Sequence, residues 1–260
     1  MPSYHSRKRF GQHFLIDPDT INAILRSISP SKKDIVVEIG PGRGAITTAL
    51  AADAGHLHAI ELDRDLVKKL KYQYRDNLTV SIHEADALSF DYSTLGDGIR
   101  IVGNLPYNIS TPLLFHLLKF RDYIIDMHFM LQKEVVDRMV ATPGTKAYGR
   151  LGIMLGCHLN IDSLFNVDKS AFDPPPNVTS AVVQLSPLPP NTFDIQDDVL
   201  LSKIVVSAFM KRRKTIRNSL RDVVEAADLE AVNIDSGLRP EQISILKYIE
   251  LSNHLASRFG

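Results

Sequence analysis

Cysteine is almost missing from this chain, with one residue, Cys157, in 260. A single thiol makes no internal disulfide and no thiolate cluster, which points to a reducing compartment and against a cysteine-based zinc site. No other metal-ligand set is expected. Tryptophan is absent. An excess of either charge is absent too, since 30 Lys and Arg stand against 30 Asp and Glu. That balance excludes a polyacid, a polycation or a disordered charged tail as the main character of the chain. No apolar run approaches the roughly 20 residues that a membrane helix needs. The basic residues Arg7, Lys8 and Arg9 have no apolar segment behind them, so the reading expects no secretory signal and a cytoplasmic protein. What is present is 44% hydrophobic and 23% charged residues, an ordinary globular composition at a length that suits one large domain or two smaller ones.

The neutral total hides an uneven distribution. Residues 1–16 carry +3, residues 17–190 carry −3, and residues 191–260 hold ten basic and ten acidic side chains. Within that balanced tail, five of the seven residues from Lys211 to Arg217 are basic. Two short positive clusters could therefore meet a polyanion.

Short β-branched runs alternate with helical patterns through the first 190 residues, the signature of a parallel sheet covered by helices. Strands are predicted from Ile35 to Ile39, Leu57 to Leu62, Leu78 to Ile82, Ile99 to Gly103, Ile124 to Met130 and Thr179 to Leu185. The prolines of Ser186-Pro187-Leu188-Pro189-Pro190 end the pattern, because proline neither continues a helix nor donates to a sheet. The reading is an α/β domain over residues 1–190 and a small all-helical domain over 191–260. In the tail, a continuous helix from Asp198 to about Ala227 would set an apolar stripe of Val205, Phe209, Ile216, Leu220 and Val223 beside a basic stripe of Lys214, Arg217 and Arg221.

The first predicted strand runs straight into Gly40-Pro41-Gly42-Arg43-Gly44-Ala45. Glycines there let backbone approach a ligand closely, and the letters also satisfy a permitted form of the dinucleotide fingerprint. Glu61, at the end of the second strand, is placed to accept both ribose hydroxyls, which suits NAD as well. Two acids are additional: Glu38 ahead of the glycines, and Asp86 after the third strand, able to accept from an adenine amino group. The four features together resemble the loop set of class I S-adenosylmethionine-dependent methyltransferases, a Rossmann-like fold.

After the fourth strand comes Asn104-Leu105-Pro106-Tyr107. An exocyclic adenine amine is a poor nucleophile because its lone pair is delocalised into the ring. Two acceptors that hold both amine hydrogens and aim the lone pair at a methyl group relieve this, with a stacked aromatic fixing the base. Asn104 and the Leu105 carbonyl fit the acceptors, Tyr107 the stack, and Pro106 stiffens the turn.

Here a family becomes recognisable. Arg9-Phe10-Gly11-Gln12-His13-Phe14-Leu15, Glu38-Ile39-Gly40-Pro41-Gly42, Asn104-Leu105-Pro106-Tyr107-Asn108-Ile109-Ser110, Phe172-Asp173-Pro174-Pro175-Pro176-Asn177-Val178 and Arg212-Arg213-Lys214-Thr215-Ile216-Arg217-Asn218 resemble the bacterial small-subunit ribosomal RNA adenine dimethyltransferases. The resemblance implies transfer of methyl groups from S-adenosylmethionine to N6 of two adjacent adenines, two on each, in the 3′-terminal hairpin loop of 16S rRNA. It implies a monomer acting on the small subunit or its precursor during ribosome biogenesis. It also implies cofactor contacts at Gln12, His13, Leu15, Gly40, Gly42, Glu61, Asp86 and Asn104, with His13 standing where relatives often carry Asn. Phe172 would be the second slice of an aromatic sandwich with Tyr107. Arg7, Lys8 and Arg9, and Lys211, Arg212, Arg213, Lys214 and Arg217, would grip rRNA phosphates.

Three competing readings are weaker. Dimethylation of a large-subunit adenine goes with Asn-Ile-Pro-Tyr more often than with the Leu105 form. An assembly factor without chemistry has no need of an intact tetrapeptide and cofactor set. An NAD-dependent oxidoreductase lacks an evident acid or base constellation.

Overall fold

The β-branched runs become strands because both sheet faces are covered, which lets a strand be apolar throughout instead of alternating. The computed structural model describes residues 13–259. Its main sheet has seven strands: β2 (Ile35–Ile39), β3 (His56–Glu61), β4 (Val80–Glu84), β5 (Ile99–Asn104), β6 (Ile124–Gln132), β7 (Leu159–Val167) and β9 (Ser180–Pro187). Their order is β4-β3-β2-β5-β6-β9-β7. The strands from β4 to β6 pair in parallel, and β9 joins β6 antiparallel. Val36, Val37, Leu57, Ala59, Ile99, Ile101, Val102 and Phe129 are wholly buried. β1 (Phe14–Leu15) and β8 (Phe172–Asp173) form a separate two-stranded antiparallel ribbon.

The helices that follow the parallel strands are α2 (Thr47–Asp53), α3 (Arg64–Gln73), α4 (Ser110–Leu118) and α5 (Lys133–Met139). Ahead of them, α1 (Pro18–Ile28) starts where Asp17 accepts from Thr20 N and Pro18 occupies the first turn, a favourable pairing because that turn has free N–H groups and needs none from proline. The sheet is built outward from β2 in both directions, through β3 to β4 and through β5 to β6. The carboxyl ends of β2 and β5 are therefore a topological switch point, the place where such sheets bind ligands.

The division of the chain differs from the expected boundary at residue 190. One compact unit comprises the described residues up to Val136 together with Asp162–Pro187; the other comprises Asp137–Ile161 and the described part of Leu188–Gly260. The second unit thus captures α6 (Arg150–Gly156) alongside α7 (Asp198–Met210), α8 (Ile216–Leu220), α9 (Ala226–Ala231) and α10 (Ile245–Phe259). Tyr148, almost fully buried, donates to the Ile243 carbonyl at 3.0 Å. A Cβ on Gly152 would lie 2.7 Å from the Arg138 carbonyl oxygen, so only glycine lets α6 pack there.

The continuous helix expected from Asp198 to Ala227 is also corrected. α7 stops at Met210, Lys214 N bonds back to the Lys211 carbonyl at 2.8 Å, and Thr215 caps α8. Val205, Ile216 and Leu220 are buried as the apolar stripe requires, but Val223 is exposed, and the basic residues do not share one helical face. Among the described residues no helix is long and apolar enough to cross a membrane.

Candidate active site

A cavity of about 220 Å³, of the order that small-molecule sites occupy, opens at the carboxyl ends of β2, β3 and β5. Its lining includes His13, Leu15, Glu38, Gly40, Gly42, Glu61, Asp86 and the run Asn104 to Ile109. The structure thus brings together every described residue assigned to cofactor or base except Phe172. Gln12, Arg7, Lys8 and Arg9 lie outside the described residues.

The glycine loop takes a shape that side chains disfavour. Gly40 and Gly42 have φ of 67° and 59°, and a Cβ on Gly42 would meet the Phe14 ring at 3.3 Å. Across the ring's face lies the Arg43 guanidinium, 4.1 Å from its centroid, and the same side chain pairs with Asp173 at 3.2 Å. The loop is held to β3 as well: Gly42 N donates to Glu61 Oε2 at 3.1 Å, while Leu62 N and Asp63 N donate to Oε1 at 2.9 Å each. Burial nevertheless raises the Glu61 carboxyl above its ordinary value.

Glu38 is 2% exposed and its Oε2 has no hydrogen-bond partner. Burial, with the neighbouring Glu61 carboxylate adding to it, pushes this carboxyl up from 4.5 to about 8. The folded state therefore holds a proton that the unfolded chain has lost between those values. Its contribution to stability is whole below the lower value and is lost as pH rises through the upper one. Replacing Glu38 by Gln removes the titration, so the decline in denaturation midpoint from about pH 5 to about pH 8 is expected to flatten. A variant that keeps the wild-type slope would show the carboxyl ionised throughout.

Asn104 ends β5, and its Nδ2 donates to the His13 carbonyl at 3.0 Å. That bond settles which end of the amide is which, leaving Oδ1 as an acceptor. Leu105 is buried and its N donates to the Met130 carbonyl at 3.2 Å. Tyr107 is half-buried; its hydroxyl lies 2.9 Å from Ser180 Oγ, and its ring stacks on the His13 imidazole, 5.9 Å between centroids at 27°. His13 Nδ1 is in turn 2.7 Å from the Pro174 carbonyl oxygen. Asp86 is exposed at the cavity rim, with Oδ1 accepting from Leu88 N at 2.9 Å.

Phe172, expected as the second slice of the aromatic sandwich, does not share the cavity wall with Tyr107. Phe172 is 2% exposed, is not among the described residues that line the cavity, and packs with Leu15, Ile24, Val36, Met130 and Val182. The β1 and β8 ribbon sets it opposite Leu15 and turns it into the core. The residues that sequence reasoning missed are Ser180 and His128. His128, on β6, lines the cavity with its side chain buried and Nδ1 3.8 Å from Asp126 Oδ1, and burial holds its pKa low. Neither stands in a motif that marks it.

The second unit carries Lys211 to Arg217. Lys211 pairs with Asp222 at 3.2 Å, and Arg212 donates to the Lys146 carbonyl at 2.7 Å. Arg213, Lys214 and Arg217 are exposed.

The fold and the loop set together define a Rossmann-like methyltransferase. A model of the family described as ribosomal RNA adenine dimethylase matches residues 4–257, and the chain belongs to that family. It is 50% identical over 258 residues to the ribosomal RNA small subunit methyltransferase A of Aromatoleum aromaticum, covering 99% of this chain and 97% of that protein. Among solved structures it is similar to a dimethyladenosine transferase from Plasmodium falciparum, with TM-score 0.83, 23% identity and coverage of 95% and 98% of the two chains. It is also similar to the 23S rRNA methyltransferase ErmE, with TM-score 0.72, 23% identity and coverage of 94% and 99%. At such identities the last two speak for the fold.

Proposed function

We propose that this protein transfers methyl groups from S-adenosylmethionine to N6 of two adjacent adenines in the 3′-terminal hairpin loop of 16S rRNA, dimethylating each. It acts as a monomer in the cytoplasm, on the small ribosomal subunit or its precursor. The observation that carries the reading is the placement of Asn104, with its donor end tied to the His13 carbonyl, in the same cavity as Glu61 and the glycine loop. Family membership, and close relatives named for the small subunit, support the substrate.

The cavity fits the cofactor. Backbone at Gly40 and Gly42 offers a surface without Cβ atoms, Glu61 supplies a carboxylate for ribose hydroxyls, Asp86 accepts at the rim for an adenine amine, and the orphaned Glu38 oxygen provides a buried polar group. When bound there, S-adenosylmethionine supplies an electrophilic methyl group. Asn104 Oδ1 and the Leu105 carbonyl then accept the two hydrogens of the substrate amine and direct its lone pair, while Tyr107 stacks on the flipped base. Stacking of that kind is worth about 1 to 3 kcal/mol per base.

Arg213, Lys214 and Arg217 grip phosphates, with Lys211 and Arg212 more firmly engaged inside their own unit. Changing the first three to Ala is expected to reduce the slope of log affinity against log salt by about 2, since each phosphate neutralised on a single strand contributes about 0.7. An unchanged slope would place them away from the RNA. The function itself is tested by incubating the protein and methyl-labelled cofactor with small subunits, large subunits or naked rRNA, then mapping labelled adenines. Label confined to large subunits would overturn the proposal.

A further inference from the structure

A phenyl ring stacks on a base as a phenol does, so the hydroxyl of Tyr107 calls for a reason of its own. It lies 2.9 Å from Ser180 Oγ. Ser180 is 1% exposed and opens β9, in register with Gln132 at the end of β6. The adjacent backbone is fixed too, with Lys133 N donating to the Thr179 carbonyl at 2.9 Å. The serine is therefore a fixed point of the sheet. Tyr107, by contrast, sits in the segment joining β5 to α4, with its ring at the wall of an open cavity.

Among the described residues, two other contacts also hold this tyrosine. Ser110 Oγ donates to its carbonyl at 3.1 Å, and the His13 imidazole lies along its ring. The first fixes main chain and the second covers ring surface. Among the described residues, only the hydroxyl bond ties the far end of the ring, where a small rotation about the side-chain bonds produces the largest displacement.

We propose that Ser180 is a positioning residue for methyl transfer: by binding the Tyr107 hydroxyl it holds the ring at the angle from which a stacked adenine presents N6 to Asn104. The inference rests on the methyl-transfer reading above and adds a residue to it. Its physical basis is the sensitivity of in-line transfer to geometry, since a misplacement of about 1 Å can cost about 10²-fold in rate. Either hydroxyl can donate in this bond, and burial raises the phenol's pKa, so the Tyr107 hydroxyl stays neutral.

The test is steady-state methylation of small subunits by wild type, Ser180→Ala, Tyr107→Phe, the double variant and Ser180→Thr, with cofactor affinity and thermal midpoint measured on each. Both single variants are expected to lose about ten-fold or more in kcat, with cofactor affinity and KM for the subunit within about two-fold of wild type. The double variant should be no worse than the poorer single, because both break one bond, and Ser180→Thr should restore most of the rate. Wild-type kcat in either single variant overturns the inference, as do losses that multiply in the double. Should Ser180→Ala fail to fold, Tyr107→Phe keeps both ring and serine and decides the matter alone. A wild-type protein that labels no small-subunit adenine overturns the functional reading and this inference with it, whereas a fully active Ser180→Ala overturns this inference only.

Discussion

Asn104→Ala is expected to lower methyl transfer by about 10³-fold in kcat while leaving the fold in place, the scale seen when a preorganised polar contact to a reacting group is removed. The side chain has two jobs. Its Nδ2 binds the His13 carbonyl, fixing that backbone beside the cavity, and in the proposed reaction its Oδ1 accepts an amine hydrogen. Alanine loses both, yet β5 remains paired with β2 and β6 on either side, so the sheet has no cause to open. Asn104→Asp separates the two jobs. It keeps an acceptor oxygen but turns a carboxylate toward the His13 carbonyl, so repulsion replaces the bond, and the rate should fall nearly as far. Single-turnover transfer to small subunits measures the rate, and calorimetry with the cofactor measures binding. Near wild-type turnover in Asn104→Ala would end the amine-positioning role.

The reason Asn104 could be found without coordinates is that it closes a strand. In a parallel sheet, functional residues gather at the carboxyl ends of strands, and buried strands announce themselves as apolar runs. Glu38, Gly40, Glu61, Asp86 and Asn104 each end or follow such a run, and the structure puts them all on one cavity. What escaped is what depends on partners far along the chain. The Tyr107–Ser180 bond spans 73 residues and exists because β9 folds back beside β6. β7 lies at the sheet edge with its exposure mixed along its length, so it shows no clear apolar run, and β1 and β8 have two residues each.

The tail shows the same limit from another side. A 3.6-residue period continues in register across Lys211 to Thr215, although the helix does not. Thr215 was a readable signal, since threonine ahead of a helical run is a capping residue. The grouping of 137–161 with the tail was not readable, because it rests on Tyr148 meeting Ile243 and on α6 packing beside α7.

Phe172, which the resemblance places in the aromatic sandwich, is buried here, and Phe172→Ala tests which role it has. A stacking residue at the cavity would cost activity on truncation and little stability. The position found is a buried one, among Leu15, Ile24, Ile28, Val36, Met130, Val167 and Val182. Removing a phenyl ring there is expected to cost about 3 to 5 kcal/mol, from lost burial and from the void left behind. Against a total stability of about 5 to 15 kcal/mol this is a large share, so urea midpoints should fall steeply. Phe172→Leu, which refills most of the volume, should cost less than about 1.5 kcal/mol. Transfer per folded molecule, measured at low temperature with the cofactor present, should stay near wild type in both. The cofactor matters to that comparison, because a ligand bound only by the folded state raises its population. If instead Phe172→Ala keeps its urea midpoint and loses transfer more than ten-fold, the ring reaches the flipped base in the reacting complex, and the β1 and β8 ribbon must open to release it.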